Sequence, residues 1–171
     1  MLRAEILTVG AEILAGDILD TNARDIALAF KGLGIAVSRR VTVGDHVEEI
    51  AVAVREAVAR ADVVVVTGGL GPTPDDMTRD GIAKAFGVGC RLREELLPEM
   101  RAIFATFGHA TMPETNLTQA TLPEGAHPLP NPVGTAPGFR MEPGGSVLFS
   151  VPGIPREMRA MLEESILPWL R

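Results

Sequence analysis

The chain has 171 residues, 46% of them apolar and only 4% aromatic, so one domain of ordinary size must fill its core with Val, Ile, Leu and Ala. Its formal net charge of -6 argues against direct, sequence-independent binding of nucleic acid, which relies on Lys and Arg neutralising phosphates. A single cysteine, Cys90, excludes an internal disulfide and a thiolate metal cluster and reads as core packing. The opening MLRAEILTVG lacks the long apolar run of a signal peptide, and no stretch approaches the ~18 apolar residues of a membrane span. A cytoplasmic protein without membrane association is expected.

In chain order, Ala4–Val9 reads as a first strand, and Asp20 or Thr21 caps a helix running to about Leu33, closed by Gly34. Ile35–Val43 forms a second strand. A helix starting near Asp45 carries Ile50, Val54, Ala57 and Val58 at spacings of three and four. Ala61–Val66 is a continuous, mostly β-branched run, the pattern of a strand buried on both faces at the centre of a parallel sheet. A loop, Thr67–Asp75, precedes a helix to about Phe86. Arg93–Phe107 reads as a helix with Leu97, Met100, Phe104 and Phe107 on one side, its first turn disturbed by Pro98. A short helix over Pro113–Ala120 and a long loop over Asn131–Gly138 follow. Phe139–Glu142 and Ser146–Val151 form a hairpin across Pro143-Gly144-Gly145. The loop Pro152–Pro155 leads to a last helix ending near Leu167. Strands alternating with helices predict an open α/β fold with a mostly parallel, mixed sheet in a single domain over 1–171.

The chemistry concentrates in VVVVTGGLGPTPDDMTRD (63–80). Gly68, Gly69 and Gly71 follow a buried strand and precede a helix, where backbone N–H groups and the helix dipole favour an anion. This is neither a GxxxxGK[ST] nor a GxGxxG loop, and the plain alternative is a glycine turn with a helix cap. Asp75, Asp76 and Asp80 crowd the same helix start. One of them suffices as a cap, whereas three beside a phosphate call for a divalent cation between them. Glu12 and Asp45 follow the first and second strands and should reach the same sheet edge. Asp45-x-x-Glu48 equally fits a capping box. His46, His109 and His127 show no ligand spacing.

The stretches TVGAEILAGDILDTNA (8–23), TVGDH (42–46), VVVTGGLGPTPDDMTRD (64–80), NPVGTAPGF (131–139) and VPGIPREM (151–158) resemble the N-terminal domain of competence/damage-inducible CinA proteins. These belong to the molybdopterin-binding superfamily, with MogA, MoaB and the gephyrin G domain. The resemblance implies a three-layer α/β/α sandwich of MogA/MoaB type, and a dimer or trimer. It implies a small phosphorylated nucleotide or pterin as ligand. MogA-like relatives adenylylate molybdopterin with Mg and ATP. CinA-like proteins are associated with hydrolysis of ADP-ribose to AMP and ribose 5-phosphate, with a divalent cation (Mg, Mn or Co) or potassium.

Carried over by residue, Asp76 and Asp45 match the functional aspartates of MogA-like enzymes. Thr67, Gly68 and Gly69 match the phosphate-cradling turn, and Asn22, Gly134 and Gly153 lie in motifs that line the site. The resulting expectation places a cation at Glu12 and Asp76, with Asp75 nearby. The pyrophosphate lies on the N–H groups of Gly68, Gly69, Leu70 and Gly71, and Asp45 orients or deprotonates water. Asp80 is expected on the helix surface. Many relatives carry Lys where this chain has Pro74. CinA proteins usually continue into a nicotinamide-nucleotide amidase domain, which is not expected in this chain.

Overall fold

The computed structural model describes residues 2–171. Its main sheet runs in the order β2 (Ala36–Val43), β1 (Arg3–Val9), β3 (Val63–Thr67), β8 (Val147–Val151), β7 (Gly138–Met141), β6 (His127–Leu129). The first four strands are parallel, and β7 and β6 each pair antiparallel with their neighbours. Val63 to Val66 are each at most 1% exposed, because both faces of β3 are covered. Even-numbered Val64 and Val66 join one core with Ile50, Val54 and Ala57 of α3 (Val47–Arg60) and Ile82 of α4 (Thr78–Phe86). Odd-numbered Val63 and Val65 join the other, with Ile26 and Phe30 of α2 (Thr21–Gly32) and Met158 and Met161 of α6 (Pro155–Met161). The strand's period of two thus sends alternate valines into two separate cores, and three layers result.

This topology positions the site. In register, Thr8 of β1 pairs with Thr67 of β3, which pairs with Val151 of β8. Three adjacent parallel strands therefore end together, and residues 10–12, 68–76 and 152–155 emerge side by side at the carboxyl edge of the sheet, where open α/β folds bind ligands.

Several elements differ from expectation. A short helix, α1 (Ala11–Leu14), follows β1 directly. The Asp45-x-x-Glu48 capping box does not form: α3 starts at Val47 without a side-chain cap. Cys90 lies half-buried in β4 (Cys90–Leu92), which pairs with β5 (Thr121–Pro123) in a separate two-stranded sheet. Three-residue strands such as these and β6 are too short to show a period. The segment from 93 breaks into a 3-10 turn, Glu94–Leu96, and α5 (Leu97–Thr106), with Pro98 in the first turn. Leu97 and Met100 are buried, but Phe107 is 59% exposed. The short helix before β5 is a 3-10 helix, Glu114–Ala120. The last helix passes through a π turn, Leu162–Ile166, into α7 (Leu167–Leu170). Among the described residues, no helix is long and apolar enough to cross a membrane.

Candidate functional site

A cleft of about 680 Å³ opens at this carboxyl edge, within the usual size of small-molecule sites. Its floor is the glycine loop. Gly68 and Gly69 have φ of 102° and 67°. A Cβ at Gly68 would collide with the Val9 carbonyl and one at Gly69 with the Thr78 hydroxyl, so both positions require glycine. Buried Thr67 anchors the loop: its Oγ1 donates to the Pro152 carbonyl at 3.1 Å and accepts from Asn22 Nδ2 at 3.0 Å. Asn22 Nδ2 also donates to the Gly153 carbonyl at 2.8 Å. Asn22 is 5% exposed and lines the cleft, yet its Oδ1 accepts from none of the described residues. A buried acceptor left without a partner carries a penalty that a ligand donor would relieve.

Glu12, Asp45, Asp75 and Asp76 all line the cleft, as do Thr67, Gly68, Gly69, Leu70, Gly71, Asn22 and Gly153. None of the loop aspartates caps α4, whose N-cap is Met77. Asp76 Oδ2 instead accepts from the Thr73 N–H at 2.8 Å and the Thr73 hydroxyl at 2.7 Å, closing the loop on itself. Asp45 Oδ2 accepts from the Ala11 N–H at 2.9 Å and so caps α1 from another segment. Exposed Glu12 folds back over Gly10, where a Cβ would lie 2.8 Å from Glu12 Oε1. Asp80 is exposed in the first turn of α4 and does not line the cleft.

Two expectations are modified. Gly134 does not line the cleft; it is buried behind it against Glu157, while its neighbours Thr135 and Ala136 reach the cleft wall. Nor do the carboxylates form a cage: among the described residues, no three His, Cys, Asp or Glu side chains converge to hold a metal ion by themselves. The donors that do line the cleft are carboxylate oxygens, which suit a hard cation completing its shell with phosphate oxygens and water.

Several lining residues carry no site signal in the sequence, where Asp20 shows only as a candidate helix cap. Asp20 caps α2, accepting from Ala23 N at 2.9 Å, and also accepts from the Thr8 hydroxyl at 2.6 Å. Asn116 and Gln119 are buried and bonded to each other at 2.9 Å. Half-buried Glu157 brings the lining carboxylates to six, with Glu12, Asp20, Asp45, Asp75 and Asp76. Burial pushes the Glu157 carboxyl above its usual range, against the opposing pull of Asn131 and Arg156. Among the described residues, no Lys, Arg or His lines the cleft. Cys90 lies outside it, its thiol pushed up to about 11 chiefly by burial, so it is a poor nucleophile.

Residues 5–171 match the family described as "Probable molybdopterin binding domain". A CinA-like protein of Frankia casuarinae is 48% identical over 171 residues, covering 98% of this chain and 40% of that protein. The chain belongs to the CinA-like branch of the molybdopterin-binding domain family. A CinA-like protein of Gemmatimonas aurantiaca is also 48% identical, again over 98% of this chain and 39% of its own length. The chain thus spans about two fifths of these bacterial relatives. The crystal structure of CinA from Thermoplasma acidophilum, described as of unknown function, superposes with a TM-score of 0.88 at 40% identity, over 97% of this chain and 96% of that one. The molybdopterin biosynthesis enzyme MoaB of Thermus thermophilus shares the fold, with a TM-score of 0.66 at 24% identity over 99% of this chain and 92% of its own. In this CinA-like domain the motifs 8–23, 42–46 and 64–80, together with the 131–139 loop and 151–158, all converge on the one cleft.

Proposed function

We propose that the domain is a metal-dependent nucleotide pyrophosphatase that hydrolyses ADP-ribose to AMP and ribose 5-phosphate. One observation carries the reading: among the described residues, a glycine loop at a parallel-sheet edge shares its cleft with six carboxylates and with no basic side chain. A pyrophosphate there meets repulsion from every charged group lining the cleft unless a cation neutralises it.

Glu12 and Asp76, with Asp75 adjacent, would hold a divalent cation such as Mg, Mn or Co, and potassium is a further candidate. When bound, it supplies charge neutralisation and a more acidic water. The N–H groups of Gly69, Leu70 and Gly71 bind the phosphoryl oxygens, whereas the Gly68 N–H, expected as a fourth donor, is spent on the Val151 carbonyl at 3.1 Å. Asn22 Oδ1 accepts from a ligand hydroxyl, and Asp45 orients the attacking water and takes its proton. The water oxygen bonds to one phosphorus as the bridging P–O bond breaks, releasing AMP and ribose 5-phosphate. The family's description as a probable molybdopterin binding domain supports a pterin as ligand, and a second reading is adenylyl transfer to that pterin in the same cleft.

The purified chain is incubated with ADP-ribose, and separately with molybdopterin and ATP, with Mg, Mn, Co and K in turn. AMP release from ADP-ribose is expected. Adenylylated pterin without AMP release would favour the second reading. Ligand binding without turnover under any metal would leave a binding module acting through a partner protein. Light scattering tests the dimer or trimer expected from MogA/MoaB-like relatives.

A further inference from the structure

The carbonyls of Gly68, Gly69, Leu70 and Gly71 are all taken by two consecutive residues at the start of α4. Thr78 Oγ1 donates to Gly68 O at 2.7 Å, and the Thr78 N–H to Gly69 O at 3.2 Å. Arg79 Nη1 donates to Leu70 O and Nη2 to Gly71 O, both at 2.7 Å. No peptide among the described residues is cis. In a planar trans peptide the N–H points opposite to the carbonyl before it. Holding the carbonyls of residues 68–70 against α4 therefore turns the N–H groups of Gly69, Leu70 and Gly71 the other way, and these three residues line the cleft.

Arg79 brings more than donors. It is 5% exposed, and among the described residues no carboxylate lies within ion-pair distance of it, the attraction of Asp76 and Asp80 acting across a longer gap. Burying a guanidinium against neutral carbonyls is costly, and a neutral amide would staple a loop without that cost. The charge needs another reason. The cleft on the far side of the loop is lined by six carboxylates and no base, so Arg79 is the cation set directly behind the loop. Arginine stays protonated in proteins, so its field is permanent.

We infer that Arg79, together with Thr78, is the positioning residue that makes the glycine loop an anion cradle: Thr78 fixes the N–H groups of Gly69 and Leu70 toward the cleft, the Arg79 fork fixes that of Gly71, and the buried Arg79 charge supplies the positive potential that the lining lacks. The inference rests on the phosphate reading of the loop and identifies what makes that reading electrostatically workable.

The test uses inorganic pyrophosphate with Mg, titrated into the wild-type chain, Arg79→Gln and Arg79→Lys, with calorimetry for affinity and thermal melts without ligand for folding. Gln keeps amide donors without the charge, and Lys keeps the charge without the fork. Both are expected to bind on the order of tenfold more weakly or worse, the loss expected for a charge-assisted contact. Wild-type affinity in either folded variant, even with a lowered melting temperature, would show a mere staple and overturn the inference. Should both variants fail to fold, the wild-type chain decides. Pyrophosphate is expected to shift the amide resonances of Gly69, Leu70 and Gly71, and binding that leaves all three unmoved overturns the inference. No pyrophosphate binding by the wild-type chain overturns the phosphate reading itself.

Discussion

Asn131 Nδ2 donates to the Glu157 carboxylate at 2.8 Å and to the Ala136 carbonyl at 2.9 Å, tying the 131–138 loop to α6. Gly134 lies in the same knot, since a Cβ there would collide with the Glu157 carboxyl. Burial raises the Glu157 pKa, so the folded protein holds this proton more tightly than the unfolded chain. Its contribution to stability is then fully present below the ordinary value of 4.5 and is lost as pH rises through the folded-state value. Glu157→Gln removes the titration and keeps an acceptor for Asn131. The variant's melting temperature should gain on the wild type as pH rises above 4.5 and lose that advantage below it. A difference independent of pH would show that the carboxyl's burial is not what matters.

Asp76→Asn is expected to fold normally. The asparagine oxygen still accepts from the Thr73 N–H and hydroxyl, as Asp76 Oδ2 does. What disappears is one negative charge at the proposed cation. Under the pyrophosphatase reading, kcat falls on the order of a hundredfold or more, as for loss of one preorganised electrostatic group. AMP release by the folded variant at the wild-type rate, with unchanged metal dependence, would remove Asp76 from the mechanism.

What was legible in the sequence was what local pattern encodes. A short, unbroken, β-branched run bounded by turn signals reads as a strand covered on both faces, and Val63–Val66 is one. Glycines between such a strand and a helix mark a close backbone approach, and Gly68 and Gly69 do make contacts that any Cβ would forbid. Where spacing fits two geometries, the sequence was silent. Asp45-x-x-Glu48 has the spacing of a helix cap, yet Asp45 spends its carboxylate on Ala11, far away in the chain. Arg79, Glu157 and the Asn116–Gln119 pair read as ordinary polar residues. Their roles come from burial, which only the packing of α4, α6 and the 3-10 helix creates.

Asn22 joins the ends of β3 and β8 from α2, through Thr67 Oγ1 and the Gly153 carbonyl, beside the direct bond from Thr67 Oγ1 to the Pro152 carbonyl. Asn22→Ala removes both bonds and leaves the Gly153 carbonyl without this donor. A loss of about 1–3 kcal/mol is expected, the usual cost of stranding a buried polar group. Thermal unfolding should show it as a shift of several degrees. Ligand affinity should fall as well, because Asn22 Oδ1 is the acceptor without an internal partner. A destabilised variant with unaltered affinity for ADP-ribose would confine Asn22 to the framework.

Asp45 has two roles that one substitution separates. Its Oδ2 holds the Ala11 N–H at the start of α1, the helix that carries Glu12. Gly10, the N-cap, has no side chain for that task, so Asp45 performs it from the β2–α3 turn. The carboxylate also faces the cleft beside the proposed water path. Asp45→Asn retains an acceptor for Ala11 but is a far weaker base. If Asp45 takes the proton of the attacking water, kcat should drop by about two to four orders of magnitude, the usual span for general base catalysis, while KM changes little. Asp45→Ala should remove the cap as well, loosening α1 and raising KM through a displaced Glu12. The measurement is steady-state AMP release by both variants, with circular dichroism to confirm the fold. An Asn variant that turns over like the wild type, beside an impaired Ala variant, would assign Asp45 to capping alone and require another group to receive the proton.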